Sequence, residues 1–272
     1  MFFMDEYSNF LPTYGIVGLG FVGSAVKHSM QGRANIKVVD VDPTKSSHSI
    51  EQLIDCEGVF VCVPTPQADD GVCDTSALED VLTKLEYYTG PIISKCTAPP
   101  AFYKKLSEKY INLIHAPEFL TAANAKQDYI LGTFAMIGGS SSAFRGEAER
   151  IIRIGQKNLK DVRHCSVEEA ALAKYGINTF LATKIVFMNE MYLLCEKTGV
   201  DFDKVAELIK LDSRIGSTHM KVPGPDGFGF AGMCFPKDTS ALYHYAKSNG
   251  IEMEHMKNVI EVNKKLRNIG KN

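Results

Sequence analysis

Three glycines in the pattern Gly18-x-Gly20-x-x-Gly23 constrain this chain more than any other feature. An apolar stretch at residues 14–17 leads into them, and a helix-forming run starts near Phe21. A second apolar stretch, residues 36–39, ends at Asp40. Strand, glycine turn, helix, strand and acid, in that order, form the arrangement that binds a dinucleotide. Gly18 is placed for the tight turn, Gly20 for close approach of a pyrophosphate, and Gly23 for close helix–strand packing. The helix start at Phe21 and Val22 supplies amides to the phosphates. Asp40 is expected to accept from the adenosine ribose hydroxyls and to repel a 2′-phosphate, which favours NAD over NADP.

Further apolar stretches continue the pattern at residues 59–63, 92–94, 112–115 and 134–137, the last closed by Gly138-Gly139. Helical periodicity separates several of them, as at residues 76–87. The expected class is α/β: a Rossmann-like, doubly wound, mainly parallel sheet. Pro64-Thr65-Pro66 follows one strand and Lys95-Cys96-Thr97 another, at the edge where such sheets bind ligands. The polar residues 67–75 read as a surface loop. After Asn158 the pattern changes. Residues 167–197 form one run of helix formers, about 45 Å long at about 1.5 Å per residue. Shorter helices follow, the first capped by Asp201 or Asp203, and one opens near Cys234. Two domains are therefore expected: a dinucleotide-binding domain at 1–160, and an all-helical domain at 161–272 built on one long central helix.

Composition excludes several classes. A net charge of −2 over 272 residues gives no footprint for nucleic acid or an anionic membrane. The seven cysteines form no CxxC pair and no metal-ligand spacing, so reduced thiols in the cytoplasm fit best. Residues 1–11 carry Asp5 and Glu6 and no Lys or Arg, so the charged region of a secretory signal is missing. No run of about 20 apolar residues exists to span a bilayer.

The densest chemistry lies at Gly229-Phe230-Ala231-Gly232-Met233-Cys234-Phe235-Pro236-Lys237-Asp238. Pro236 marks a first helical turn, which puts Cys234 at a helix N-terminus, where free amides and the dipole favour a thiolate. Asp238, four residues on, shares a helix face with it. A buried structural cysteine beside a glycine turn is the ordinary alternative. Lys174 and Asn178 are also four apart, so ammonium and amide can face one pocket and stabilise an oxyanion, although such a pair alone is more often a solvated face. Glu118 follows a strand end and can hold a water or a lysine. Thr97, at the neighbouring strand end, either helps hold that water or bonds local backbone.

The ten-residue cysteine segment resembles the active-site motif of the UDP-glucose/GDP-mannose 6-dehydrogenase family. Gly18 to Gly23, Val63-Pro64-Thr65-Pro66, Lys95-Cys96-Thr97, Pro117-Glu118-Phe119-Leu120, Lys174 with Asn178, Asn189-Glu190 and Arg214-Ile215-Gly216 match in family order. The resemblance implies oxidation of a nucleotide-sugar 6-hydroxyl to a carboxylate with two NAD⁺. It implies Cys234 as nucleophile, with Lys174, Asn178, Asp238, Glu118 and Thr97 as its catalytic company. It implies cofactor contacts at Pro64, Thr65, Thr97 and Lys237. It implies substrate contacts at Glu118, Phe119, Leu120, Lys174, Asn178, Phe228, Gly229 and Gly232. Arg214 is expected at the sugar of a neighbouring subunit, in a homodimer formed through the long helix.

The chain departs from the family at three places. Ala122 stands where a second acid is usual, and residues 221–228 are rich in Gly and Pro. The family normally continues, after the position of Asn263-Lys264-Lys265, into a third domain that helps hold the nucleotide. Two other functions stay open on the sequence. One is a two-electron β-hydroxyacid dehydrogenase of the wider 6-phosphogluconate dehydrogenase-like superfamily, which needs Lys174 and Asn178 but not Cys234. The other is a non-catalytic NAD-binding subunit.

Overall fold

The computed structural model describes residues 11–68 and 71–269. Asp5 and Glu6 of the leader, and Asp69 and Asp70 of the polar loop, lie outside the described residues. The chain forms two compact units, one reaching through Thr65 and resuming from Thr75 to Ala171, the other taking Pro66–Asp74 and everything from Leu172.

Among the described residues the first unit is built on a seven-stranded sheet. Its strands are β1 (Thr13–Val17), β2 (Asn35–Val39), β3 (Gly58–Val61), β4 (Ile92–Ser94), β5 (Leu113–His115), β6 (Phe134–Gly139) and β7 (Asp161–Cys165). They lie in the order β2-β1-β3-β4-β5-β6-β7. The first five are parallel; β6 runs antiparallel to β5, and β7 parallel to β6.

Register explains why β1, β3, β4 and β5 read as apolar runs. Ile16, Phe60, Ile93 and Ile114 stand in one cross-strand row. They face α1 (Phe21–Ser29), α4 (Ala125–Leu131) and α5 (Ser142–Gly155) through Val26, Tyr129 and Ile151. Their neighbours Val17, Val61, Ile92 and Leu113 point to the other face. There they meet Leu78 and Leu82 of α2 (Ser76–Lys84) and Tyr103 and Leu106 of α3 (Pro100–Lys109). Side chains alternate across a strand, so a sheet covered on both faces needs apolar residues at every position.

β7 corrects the expectation that 134–137 is the last strand, and it occupies the stretch where the sequence alone sets the domain boundary. Its side chains are exposed or half-buried, with Arg163 and His164 outward, so an edge strand of this kind carries no apolar run.

The second unit is helical. Its elements are α6 (Val167–Thr198) from Leu172 onward, α7 (Phe202–Ile209), α8 (Phe235–Ser248) and α9 (Glu254–Leu266). The 32 residues of α6 give about 48 Å of helix, close to the expected length. Asp201 caps α7 by accepting from the Lys204 amide at 3.3 Å. Ala182 and Val186 of α6 pack on Phe230 and on Met256 and Val259 of α9.

Residues 66–68 and 71–74 are loop, but docked within this unit rather than lying free on the surface. Gln67 and Cys73 form an antiparallel bridge. Cys73 is buried with Tyr175, Ala241 and Leu242. Ser240 Oγ donates to the Gly71 carbonyl at 2.9 Å and accepts from Gln67 Nε2 at 3.0 Å. Polarity in the loop therefore reflects partners on α8 as well as water. Among the described residues no helix is long and apolar enough to cross a membrane.

Candidate functional site

In the first unit the chain leaves β1 toward β2 and returns to β3 on the other side, so the loops after β1 and β3 diverge. Gly18 sits there with φ +90°, and its amide donates to the Val39 carbonyl at 2.8 Å. A Cβ on Gly18 would lie 2.7 Å from the Cys62 carbonyl oxygen. A Cβ on Gly23 would overlap the Gly18 carbonyl oxygen, so helix and loop pack as the spacing requires. Gly20, which caps α1, has no atom within 4 Å of its Cβ position, leaving room for a ligand against the backbone. Phe21 and Val22, half-buried, open α1. The loop is thus a cradle that a phosphate fits and that added methyl groups would fill.

Asp40 closes this loop. Its Oδ2 accepts from the Leu19 amide at 2.5 Å and its Oδ1 from the Asp42 amide at 2.9 Å. These donors, Leu19 first, hold the carboxyl below the usual range. An ionised carboxylate beside the glycine turn disfavours a 2′-phosphate, as the sequence implies.

The ends of β3, β4 and β5 are tied together. Thr65 Oγ1 donates to the Thr97 carbonyl at 2.7 Å, and Cys96 Sγ to the Val63 carbonyl at 3.2 Å. Pro64 is exposed, whereas Thr65, Thr97 and Glu118 are buried. Glu118 Oε2 accepts from the Leu120 amide at 2.6 Å, which turns the chain after β5. Phe119 and Leu120 are half-buried, and the Phe119 ring packs on Phe134 at 4.7 Å. Together with Lys95 and Tyr129 these residues line a cavity of about 180 Å³. Lys95 opens the Lys95-Cys96-Thr97 stretch, where nothing in the sequence marks a role for it. Its ammonium is buried, 5.5 Å from the Tyr129 ring centre. Desolvation lowers its pKa to about 8, against the opposing pull of Cys62 and Glu118.

In the second unit Cys234 is the N-cap residue of α8, half-buried, with Pro236 in the first turn. The Asp238 amide donates to the Cys234 carbonyl at 2.8 Å, the first bond of the helix. Asp238 as a whole residue is 1% exposed. Asn178 Nδ2 donates to its Oδ2 at 2.6 Å, and Lys237 Nζ sits 2.6 Å from its Oδ1. The structure therefore places Lys237, expected among the cofactor contacts, against the carboxylate. Lys174, buried at 3% exposure, lies one turn before Asn178 on the same helix face.

Gly229 (φ +70°) and Gly232 (φ +75°) take left-handed conformations that favour glycine. Gly232 is exposed and has no atom within 4 Å of its Cβ position. Phe228, half-buried, packs edge-on against Tyr192 at 5.5 Å. Arg214 is exposed and forks onto Asp212, Nε to Oδ1 at 2.9 Å and Nη2 to Oδ2 at 2.6 Å. His219, which lies in no sequence motif, has φ +61° and packs its ring against Phe235 at 5.6 Å.

A glycine-loop crevice and a helix-capping cysteine beside a buried Asn–Asp–Lys cluster define a dinucleotide-binding fold joined to a thiol-bearing helical unit. The chain belongs to the UDP-glucose/GDP-mannose dehydrogenase family. Residues 44–154 match that family's NAD binding domain and residues 168–265 its central domain. The first match begins beyond the glycine loop, whose geometry stands independently. The cofactor of the first unit is NAD.

Relatives include the UDP-glucose 6-dehydrogenase of Rickettsia bellii, 35% identical over 79% of this chain and 50% of that protein. UDP-glucose 6-dehydrogenase TuaD of Bacillus subtilis is 35% identical over 77% of this chain and 46% of its own length. A solved UDP-glucose dehydrogenase from Pyrobaculum islandicum superposes with a TM-score of 0.80 at 27% identity, covering 94% of this chain and 68% of that one. The chain spans about half the length of the curated relatives it matches.

Proposed function

We propose that this chain oxidises a nucleotide-sugar 6-hydroxyl to the carboxylate, with UDP-glucose going to UDP-glucuronate. The observation that carries this reading is Cys234 at the start of α8, one turn from a buried carboxylate held by Asn178 and Lys237. A two-electron alcohol dehydrogenase has no use for that thiol; a four-electron one needs it.

Gly18, Gly20, Gly23, Phe21, Val22 and Asp40 hold the cofactor, joined by Pro64, Thr65 and Thr97. Bound NAD⁺ supplies the hydride acceptor for each of the two oxidations. A water held by Asp238, Thr97 or Glu118 takes the proton of the 6-hydroxyl. Cys234 Sγ then bonds to the aldehyde carbon, and the carbonyl oxygen becomes the hydroxyl of a thiohemiacetal. Its oxidation gives a thioester, so the thiol both prevents escape of the aldehyde and prepares the second oxidation. Asp238 or Glu118 orients the water that breaks the C–S bond and returns Cys234 as thiol. Lys174, with Asn178, stabilises the oxyanions of these steps. In sum one alcohol, one water and two NAD⁺ give one carboxylate, two NADH and three protons. Substrate contacts are assigned to Glu118, Phe119, Leu120, Phe228, Gly229 and Gly232, and Arg214 to a neighbouring subunit's sugar.

A homodimer through α6 accompanies the reading. Phe180, Phe187 and Leu194 are spaced by seven and are 69%, 54% and 56% exposed, an apolar stripe that a second copy of the helix would cover. Phe187→Glu should then yield monomer by light scattering. A cytoplasmic setting accompanies the reading, since it keeps a thiol of this kind reduced.

The test is NADH released per UDP-glucose consumed. Two supports the reading; one, together with unchanged turnover in Cys234→Ser, favours the two-electron hydroxyacid dehydrogenase. NAD binding with no turnover on UDP- or GDP-sugars favours the non-catalytic subunit.

A further inference from the structure

Residues 226–230 lead into the cysteine segment without belonging to any strand or helix. Their backbone is nevertheless bonded by side chains from two helices. Asn189, in the middle of α6, accepts from the Gly229 amide through Oδ1 at 2.9 Å. Asn263, near the end of α9, accepts from the Phe230 amide through Oδ1 at 2.7 Å and donates through Nδ2 to the Phe230 carbonyl at 3.0 Å. It thereby treats Phe230 as a neighbouring strand would. Arg267 Nη1 donates to the Phe228 carbonyl at 3.1 Å and also to that of Asp226.

Both amides are buried, Asn189 at 1% exposure and Asn263 at 8%. Asn189 Nδ2 is already committed to the Ile185 carbonyl at 2.7 Å, which turns its oxygen toward the loop. A Cβ at Gly229 would overlap Asn263 Oδ1, so glycine is needed for space as well as for its φ of +70°. Beyond Phe230 only Ala231, Gly232 and Met233 separate this anchored point from Cys234. The Phe230 ring meets Phe235, the first residue of α8, at 6.4 Å. The short run is thus held at both ends, while Gly232 and Met233 between them stay exposed.

We infer that Asn189 and Asn263 are positioning residues for Cys234: two buried amides that lock Gly229 and Phe230 and so set where the thiol and the open Gly232 backbone stand. The inference rests on the reading of Cys234 as the nucleophile. Neither residue touches the reacting atoms; each acts through the backbone.

The variants are Asn263→Leu and Asn189→Leu, near-isosteric replacements without the amide. NAD affinity and thermal unfolding report whether each variant is folded. Amide exchange at Gly229 and Phe230 should rise by about tenfold or more. With UDP-glucose, kcat should fall about 100-fold while KM stays within about threefold, because a small misplacement damages the reacting geometry more than binding. Alkylation of Cys234 by a bulky maleimide, followed by peptide mass spectrometry, should speed up by about fivefold as the thiol loses its seat. Cys62 and Cys165, half-buried in the other unit, serve as internal controls. Unchanged kcat, or a loss that merely tracks the folded fraction, would overturn the inference. If the wild-type chain makes no NADH from UDP-glucose, the activity reading fails, and exchange and alkylation still decide the positioning claim. If Asn263→Leu does not fold, Asn189→Leu decides it alone.

Discussion

Asn178 and Asp238, sixty positions apart in sequence, meet at 2.6 Å with the carboxylate almost wholly buried. A buried carboxylate oxygen keeps its charge only where donors replace water. Removing the amide leaves Oδ2 without that donor, so Asn178→Ala should cost about 1–3 kcal/mol of stability. Urea unfolding measures it; a variant as stable as the parent would mean that water enters the cluster freely.

Lys237 supplies the other half of that neutralisation, 2.6 Å from Asp238 Oδ1. Its side chain is 14% exposed and that of Asp238 2%. Lys237→Met should therefore be the more damaging change, about 3–5 kcal/mol, because it strands a buried charge. Adding Asp238→Leu should recover most of the loss, giving a clear coupling energy in the double-mutant cycle. Additive losses would show that the two side chains act independently.

The glycine turn separates space for packing from space for a ligand. Gly23→Ala drives a methyl group into the Gly18 carbonyl and should cost on the order of 3 kcal/mol, lowering the melting temperature with or without cofactor. Gly20→Ala meets nothing within 4 Å and should leave the melting temperature unchanged. It should weaken NAD about tenfold or more, since its methyl group occupies the side from which the pyrophosphate approaches. Equal effects on stability and on NAD binding in both variants would defeat this division of labour.

These contacts also mark what could be read from the chain itself. β1, β3, β4 and β5 announce themselves because both faces of the sheet are covered there, so Ile16 and Val17, or Ile92 and Ile93, must all be apolar. The reversed direction of β6 leaves no trace, since an apolar strand has the same composition in either direction. β7 is hidden by its exposure. Cys234 at a helix start is legible because Pro236 permits little else two residues on. Asn178 against Asp238, and Asn263 against Phe230, are not legible, because hydrogen bonds between distant segments impose no periodicity. Lys95 is hidden for a related reason: a lysine just past a strand reads as solvated, and only packing shows its ammonium buried beside Tyr129.

That lysine makes stability depend on pH in an unusual direction. Burial, the largest effect, lowers its pKa from 10.5 to about 8, so the folded protein releases the proton first as pH rises. Between these values the unfolded chain binds more protons, and stability from this group must increase with pH. Below pH 8 the buried ammonium carries its full penalty, on the order of 3 kcal/mol for a shift of this size. Lys95→Met should accordingly be more stable than the parent at pH 7, with the advantage fading as pH approaches 10. Burial raises the Cys62 thiol and opposes the trend at alkaline pH, so the difference between the two proteins, not either curve alone, reports the lysine. Urea midpoints at pH 7, 8, 9 and 10 measure that difference. A Lys95→Met protein less stable than the parent at pH 7 would mean that the ammonium has found compensation inside the cavity, through Glu118 or bound water.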